Sequence, residues 1–247
     1  MLAVWFRRRG GLPDDAEALI ATHVFHWRTL DDDEQAQVLA DVEVLLRTKH
    51  WEAAAGFELT DRIRLVIAAQ AALLVLGIGL DHLDKVRSII VFPSGTTTHG
   101  ERHGPGGTRT DDPLAIDGLA QDGFGPIVIA WDQASYVARH PGRGHNVVLH
   151  ELAHKLDMLN GVVDGTPMVA REDLPAWVSA CTDAYRALRR GVDRPPLDPY
   201  GATNPGEFFA VATEAFFDQA AALQELEPRL YEVLARFYRQ DPATRGS

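Results

Sequence analysis

The chain has 247 residues, 46% of them hydrophobic, enough to bury a full core as one large unit or as a helical part fused to a second part. A net charge of −11 and a pI near 5.3 make nucleic acid a poor partner, because phosphate binding depends on basic surface. Cys181 is the single cysteine, so there is no disulfide framework, and with no electropositive neighbour in sequence it reads as a buried, inert thiol.

Residues 1–12 read as a disordered tail whose basic run, Arg7-Arg8-Arg9, is solvated. Its apolar stretch precedes the arginines, the reverse of a signal peptide, and neither it nor AALLVLGIGL is long enough to cross a bilayer. These features predict a soluble cytoplasmic protein with no membrane partner. Residues 13–30 and 32–50 have the spacing of two amphipathic helices, the second capped between Thr29 and Asp33. Residues 60–80 predict a strongly apolar helix, central to the core and ended by Gly77 and Gly79. VRSIIVF (86–92) reads as a buried strand, and 94–124, rich in Gly, Thr, Asp and Pro, as a long loop. A second strand, GPIVIAW (125–131), follows, then a helix over VVLHELAHKLDML, a helix at 173–190, one opened by Asn204-Pro205, and a closing helix near 227–239. The expected architecture is α+β and mostly helical. It is one globular unit over 13–243, with a helical part (13–84) packed on a second part (85–243) that holds a small sheet.

The chemistry concentrates in His150-Glu151-Leu152-Ala153-His154, an H-E-x-x-H segment in an apolar run. On a helix, residues four apart share a face, so both imidazoles can reach one cation with Glu151 beside it. Asn146 is placed to cap this helix and Asn160-Gly161 to stop it. Zinc on two neutral imidazoles and one carboxylate, with a position left open, is the usual hydrolytic arrangement. Glu151 could then act as the base that takes a proton and returns it to the leaving amine. Because the histidines bind metal only when neutral, activity should fall in mild acid.

Two histidines need a third ligand. Asp157 and Asn160 stand where a metzincin extension requires Gly and His, so that branch is excluded. The alternative is a carboxylate from DPYGATNPGEFFAVATEAFFDQA. There Glu207 and Glu214 lie seven apart on nearly the same face of a greasy helix, where carboxylates are costly unless something positive meets them. Spacing alone does not order the two, and Glu207 could equally answer the helix dipole. Tyr200, in a Pro-Tyr-Gly turn, has an ordinary reading as a turn residue. Asp157, seven after His150, reads as a residue behind the ligands or as a solvated one.

The segments HELAHKLD and YGATNPGEFFAVATE resemble the Mlc titration factor A family of zinc peptidases, whose catalytic half is similar to the lethal-factor type of zinc protease. FELTDRIRLVIAAQAALLVLGIGLDHLD, VRSIIVFPS and GPIVIAWDQA extend the resemblance over most of residues 15–243. The resemblance implies a zincin-like catalytic core with one zinc per chain held by His150, His154 and Glu207, and Glu151 as catalytic base. It also implies that Tyr200 faces the metal, where its phenol could hydrogen-bond the developing oxyanion. Glu214 would orient a histidine through its free N–H, with Asp157 a further supporting candidate.

Two other features carry expectations. His99 and His103 are four apart, but the surrounding glycines forbid a helix, so a mobile flap is a better reading than a second metal site. GPIVIAW is a candidate edge along which an extended peptide could add, unless it is a fully paired core strand. His145 reads as a helix-entry residue on a different face. The leading expectation is a zinc metallopeptidase on peptide substrates, aminopeptidase-like by resemblance. A second is a binding protein that sequesters a transcriptional repressor of sugar-uptake genes. A purely structural zinc is weaker, since such sites favour four closed ligands rich in cysteine.

Overall fold

The computed structural model describes residues 11–54, 56–94 and 125–245. The tail and the loop with His99 and His103 therefore lie outside the described residues, apart from Gly11, Leu12 and Ser94. Helices predominate: α1 (Ala16–His23), α2 (Asp32–Thr48), α3 (Asp61–Val75), α4 (Trp131–Arg139), α5 (Val147–Asp157), α6 (Leu174–Arg189), α7 (Pro205–Asp218), α8 (Ala220–Leu226) and α9 (Pro228–Tyr238). With them goes one three-stranded parallel sheet, in the order β1 (His50–Ala53), β2 (Ser88–Phe92), β3 (Ile127–Ala130). The α+β, mostly helical expectation holds.

Local chemistry accounts for most of the boundaries. Asp31 and Glu34 form a reciprocal capping box at the start of α2, satisfying two otherwise orphaned N–H groups. The helix expected over 13–30 is split, because Val24 takes an extended conformation and the chain continues as a short 3-10 turn, Phe25–Thr29. Several short elements were not expected, α8 among them. β1 is four residues long and only Trp51 is half-buried, so it carries almost no periodic signal. Trp131, expected to end a strand, instead opens α4.

Ile63 and residues 65–75 of α3 are all buried, which explains an apolar pattern with little polarity on any side. α3 packs against α1, α2, α4 and α5, while α5 in turn packs against α7. The metal-motif helix thus lies between a central apolar helix and the helix carrying Glu207. One buried cluster runs continuously from Ala16 to Tyr238.

The chain end closes over α3. Gln240 donates to the carbonyls of Leu73 at 3.1 Å and Leu74 at 3.2 Å. Gly77 serves this contact: a Cβ there would lie 2.3 Å from the Tyr238 carbonyl oxygen and 2.5 Å from that of Arg239, both backbone atoms that cannot turn aside. Gly77→Ala should therefore destabilise the protein by about 1–3 kcal/mol through forced backbone displacement. Urea unfolding checks this, and a midpoint equal to that of the parent would show that the seam yields freely.

Candidate metal centre

Two helices build the site from opposite sides. α5 starts where the Asn146 side chain accepts the Leu149 N–H at 3.2 Å, and it ends in a turn that Gly161 closes at φ 89°. α7 starts where the Asn204 side chain accepts the Glu207 N–H at 2.9 Å, with Pro205 at the first helical position. This cap puts Glu207 in the first turn of α7, facing the His150 and His154 rings on α5.

His150 and His154 turn their Nε2 atoms toward each other at 3.1 Å. Glu207 Oε2 lies 3.1 Å from His150 Nε2 and 3.5 Å from His154 Nε2. A tetrahedral ion with ligands at about 2.0–2.1 Å needs its ligand atoms roughly 3.3–3.4 Å apart, within about 0.3 Å of each side of this triangle. Glu207 Oε2 is also a buried oxygen without a well-formed hydrogen bond, despite the two nearby ring nitrogens. A cation would resolve that deficit. The donor set of two imidazoles and one carboxylate suits zinc, so the residues present fit the ion.

The charges are arranged to match. Burial alone would lower the pKa of His150, but the Glu207 carboxylate beside it, the hydrogen bond to Glu214 and the charges of Glu214 and Glu151 outweigh it and lift it to about 10. Burial would raise Glu207, yet the facing imidazoles of His150 and His154 hold it at about 2. The centre is thus a cation clasped by carboxylates, and an ion held through His150 would have to displace its proton.

Glu214 orients His150 from behind. Its Oε1 accepts the His150 Nδ1–H at 2.8 Å, and its Oε2 accepts the Asn146 backbone N–H at 2.6 Å. With Nδ1 engaged, Nε2 is the nitrogen presented to the triangle. Burial would raise the pKa of Glu214, but His145 and His150 lower it overall. Glu151 follows His150 on α5, half-buried, and its charge acts on that ring. The Tyr200 ring centroid is 6.3 Å from that of His150, and the residue is 43% exposed. Its backbone N–H is held by Asp198 Oδ1 at 2.8 Å.

Asp157 is fully buried, so the solvated reading does not apply. Its Oδ2 accepts the Gly165 N–H at 2.9 Å, tying the loop after α5 back to the last residue of that helix. It makes no hydrogen bond to His150 or His154 among the described residues; it reaches His154 through charge alone.

Sequence reasoning missed two side chains. His145 does enter α5, but its ring packs 4.4 Å from that of His150 and its Nδ1 lies 3.0 Å from Glu214 Oε2. Asp218 stands one helical turn beyond Glu214 on the same face of α7 and accepts from Asn146 Nδ2 at 3.0 Å. The spacing of 207, 214 and 218 was the available signal. Beside these residues is a cavity of about 200 Å³ whose polar lining is His145, Asp198, Glu214, Asp218 and Gln219.

Among known proteins, the family described as glucose-regulated metallo-peptidase M90 matches residues 4–239. An uncharacterised protein of Synechocystis sp. is 32% identical over 235 residues, spanning 94% of this chain and 86% of that one. Mlc titration factor A of Edwardsiella ictaluri is 33% identical over 222 residues, covering 87% of this chain and 84% of its own. The protein of the same name from Serratia proteamaculans is 33% identical over 224 residues, with the same coverage of each chain. With almost the whole sequence matched, the chain belongs to the glucose-regulated metallo-peptidase M90 family, the Mlc titration factors A being among its relatives.

Proposed function

We propose that the protein is a zinc metallopeptidase with a zincin-like core that hydrolyses short peptides from the amino end. The observation that carries this reading is the triangle of His150 Nε2, His154 Nε2 and Glu207 Oε2, 3.1–3.5 Å on a side, with the carboxylate oxygen buried and unsatisfied. These three atoms would hold one zinc ion. When bound, the ion supplies Lewis acidity, polarising a peptide carbonyl and acidifying water. Glu151 takes the proton released by the attacking water and delivers it to the leaving amine. The Tyr200 hydroxyl donates to the oxygen on which negative charge develops. Glu214 keeps the proton on His150 Nδ1 and fixes the ring. The free side of β3, which pairs only with β2 among the described residues, offers backbone groups to an extended substrate.

No helix of the described residues is long and apolar enough to cross a membrane, in keeping with action in the cytoplasm. The names of the relatives add a second reading: a Mlc titration factor is named for titrating Mlc, and this chain too could capture a transcriptional repressor. Surface, not metal chemistry, would then carry the interaction.

Glu151→Gln keeps the shape of the side chain and removes its basicity. It should lower kcat by about 10²–10⁴-fold with zinc retained, measured on amino-acid anilides alongside metal analysis; full turnover would overturn the role of Glu151. The same variant should still bind a captured repressor. Tyr200→Phe should lower kcat by about 10²-fold with little change in KM, and an effect confined to KM would reassign Tyr200 to substrate binding.

Zinc entry should be linked to pH. His150 titrates near 10 in the metal-free protein and Glu207 near 2. At pH 7 only the former holds a proton that must leave, so about one proton is released per zinc and affinity rises about tenfold per pH unit up to the pKa of His150. Calorimetry in buffers of different ionisation enthalpy measures this directly. Zinc uptake without proton release at pH 7 would show that no protonated His150 has to be displaced by the ion.

A further inference from the structure

Asp218 ends α7 with its side chain only 3% exposed, and a carboxylate buried that deeply needs donors. It has two. His26 Nε2 lies 2.8 Å from Oδ1, and Asn146 Nδ2 donates to Oδ2 at 3.0 Å. A carboxylate only accepts, so Asn146 must turn its amide nitrogen toward Asp218. Its Oδ1 is then left facing the Leu149 N–H, where it caps α5. The backbone N–H of the same residue holds Glu214 Oε2 at 2.6 Å, and the other Glu214 oxygen holds His150. A run of hydrogen bonds therefore joins His26, on the 3-10 turn between α1 and α2, to the histidine in the triangle.

We infer that His26 and Asp218 are positioning residues of the metal centre: together they set the Asn146 amide, and through it the start of α5 and the grip of Glu214 on His150. Neither is among the ligand atoms. The inference rests on His150 being a zinc ligand, as proposed above. Its physical content is directional. Without Asp218, Asn146 can rotate its amide, lose the cap and loosen the first turn of α5, which carries His150. Without His26, Asp218 keeps a single donor and is freer to leave Asn146.

The test uses the full chain with His26→Ala, His26→Gln and Asp218→Ala, and Val38→Ala as a core variant on α2 remote from the site. Two quantities are read: zinc affinity by chelator competition, and exchange of the Leu149 amide hydrogen in metal-free protein. His26→Ala and Asp218→Ala should each weaken zinc binding about 10-fold or more, lower kcat with KM little changed, and speed Leu149 exchange. His26→Gln, which retains a side-chain N–H donor, should recover most of the affinity. Val38→Ala should lose stability yet keep zinc. Should Asp218→Ala fail to fold, His26→Ala, at a half-buried position, decides the matter. Parent-like zinc affinity and Leu149 exchange in the two alanine variants would overturn the inference, as would failure of Gln to rescue or an equal zinc loss in Val38→Ala. Faster Leu149 exchange in a protein whose parent binds no zinc would remove the metal reading and leave the hydrogen-bonded positioning standing.

Discussion

A carboxylate inside a helix–helix interface survives only where donors or positive groups meet it, and α7 presents three to α5 on one stripe. Glu207 meets His150 and His154, Glu214 meets His150, His145 and the Asn146 N–H, and Asp218 meets Asn146 and His26. The rest of α7 is apolar apart from Thr213, which meets the Tyr238 hydroxyl, with Phe208, Phe209, Phe216 and Phe217 buried in the core. The aromatic faces hold the helix in place and the acidic stripe fixes its register against α5. Sliding either helix by one turn would separate each carboxylate from its donors at once. The interface therefore specifies one alignment, and that alignment creates the triangle of ligand atoms.

The same pairing prepares the centre electrically. Glu207 is held as an anion and His150 as a cation by their mutual attraction, although burial opposes both. Ligand atoms at metal spacing in the free protein mean that little side-chain ordering remains for the moment of binding. Glu214 adds direction, because a ring whose Nδ1–H is committed offers only Nε2. Tyr200 and Glu151 stand outside this acidic stripe, the first on a short 3-10 turn and the second on α5 beside His150.

Much of this was legible in the sequence, for reasons that can be named. α5 announced itself by periodicity, an Asn cap and a glycine stop, and α3 by apolar residues on all sides. β1 was invisible because His50, Glu52 and Ala53 are exposed and the strand is four residues long. At the site, helical spacing put Glu207 and Glu214 on one face but did not rank them. Geometry separates them, since one faces both Nε2 atoms and the other takes Nδ1 from behind. His145 escaped because a face argument applies only within a helix, and His145 precedes the cap, where the backbone is free to turn its ring back over His150. Asp218 was masked by its place at the end of α7, where polar residues are ordinary.

The position of α5 between α3 and α7 has an engineering consequence. One flank of the metal-motif helix is upholstered by a helix from much earlier in the chain, so HELAHKLD and its acidic partner do not make a self-sufficient cassette. Transplanting the pair onto another scaffold would bare Leu149, Leu152 and Leu156, all buried here. A minimal catalyst cut from this architecture has to bring its own apolar backing before it can hold an ion.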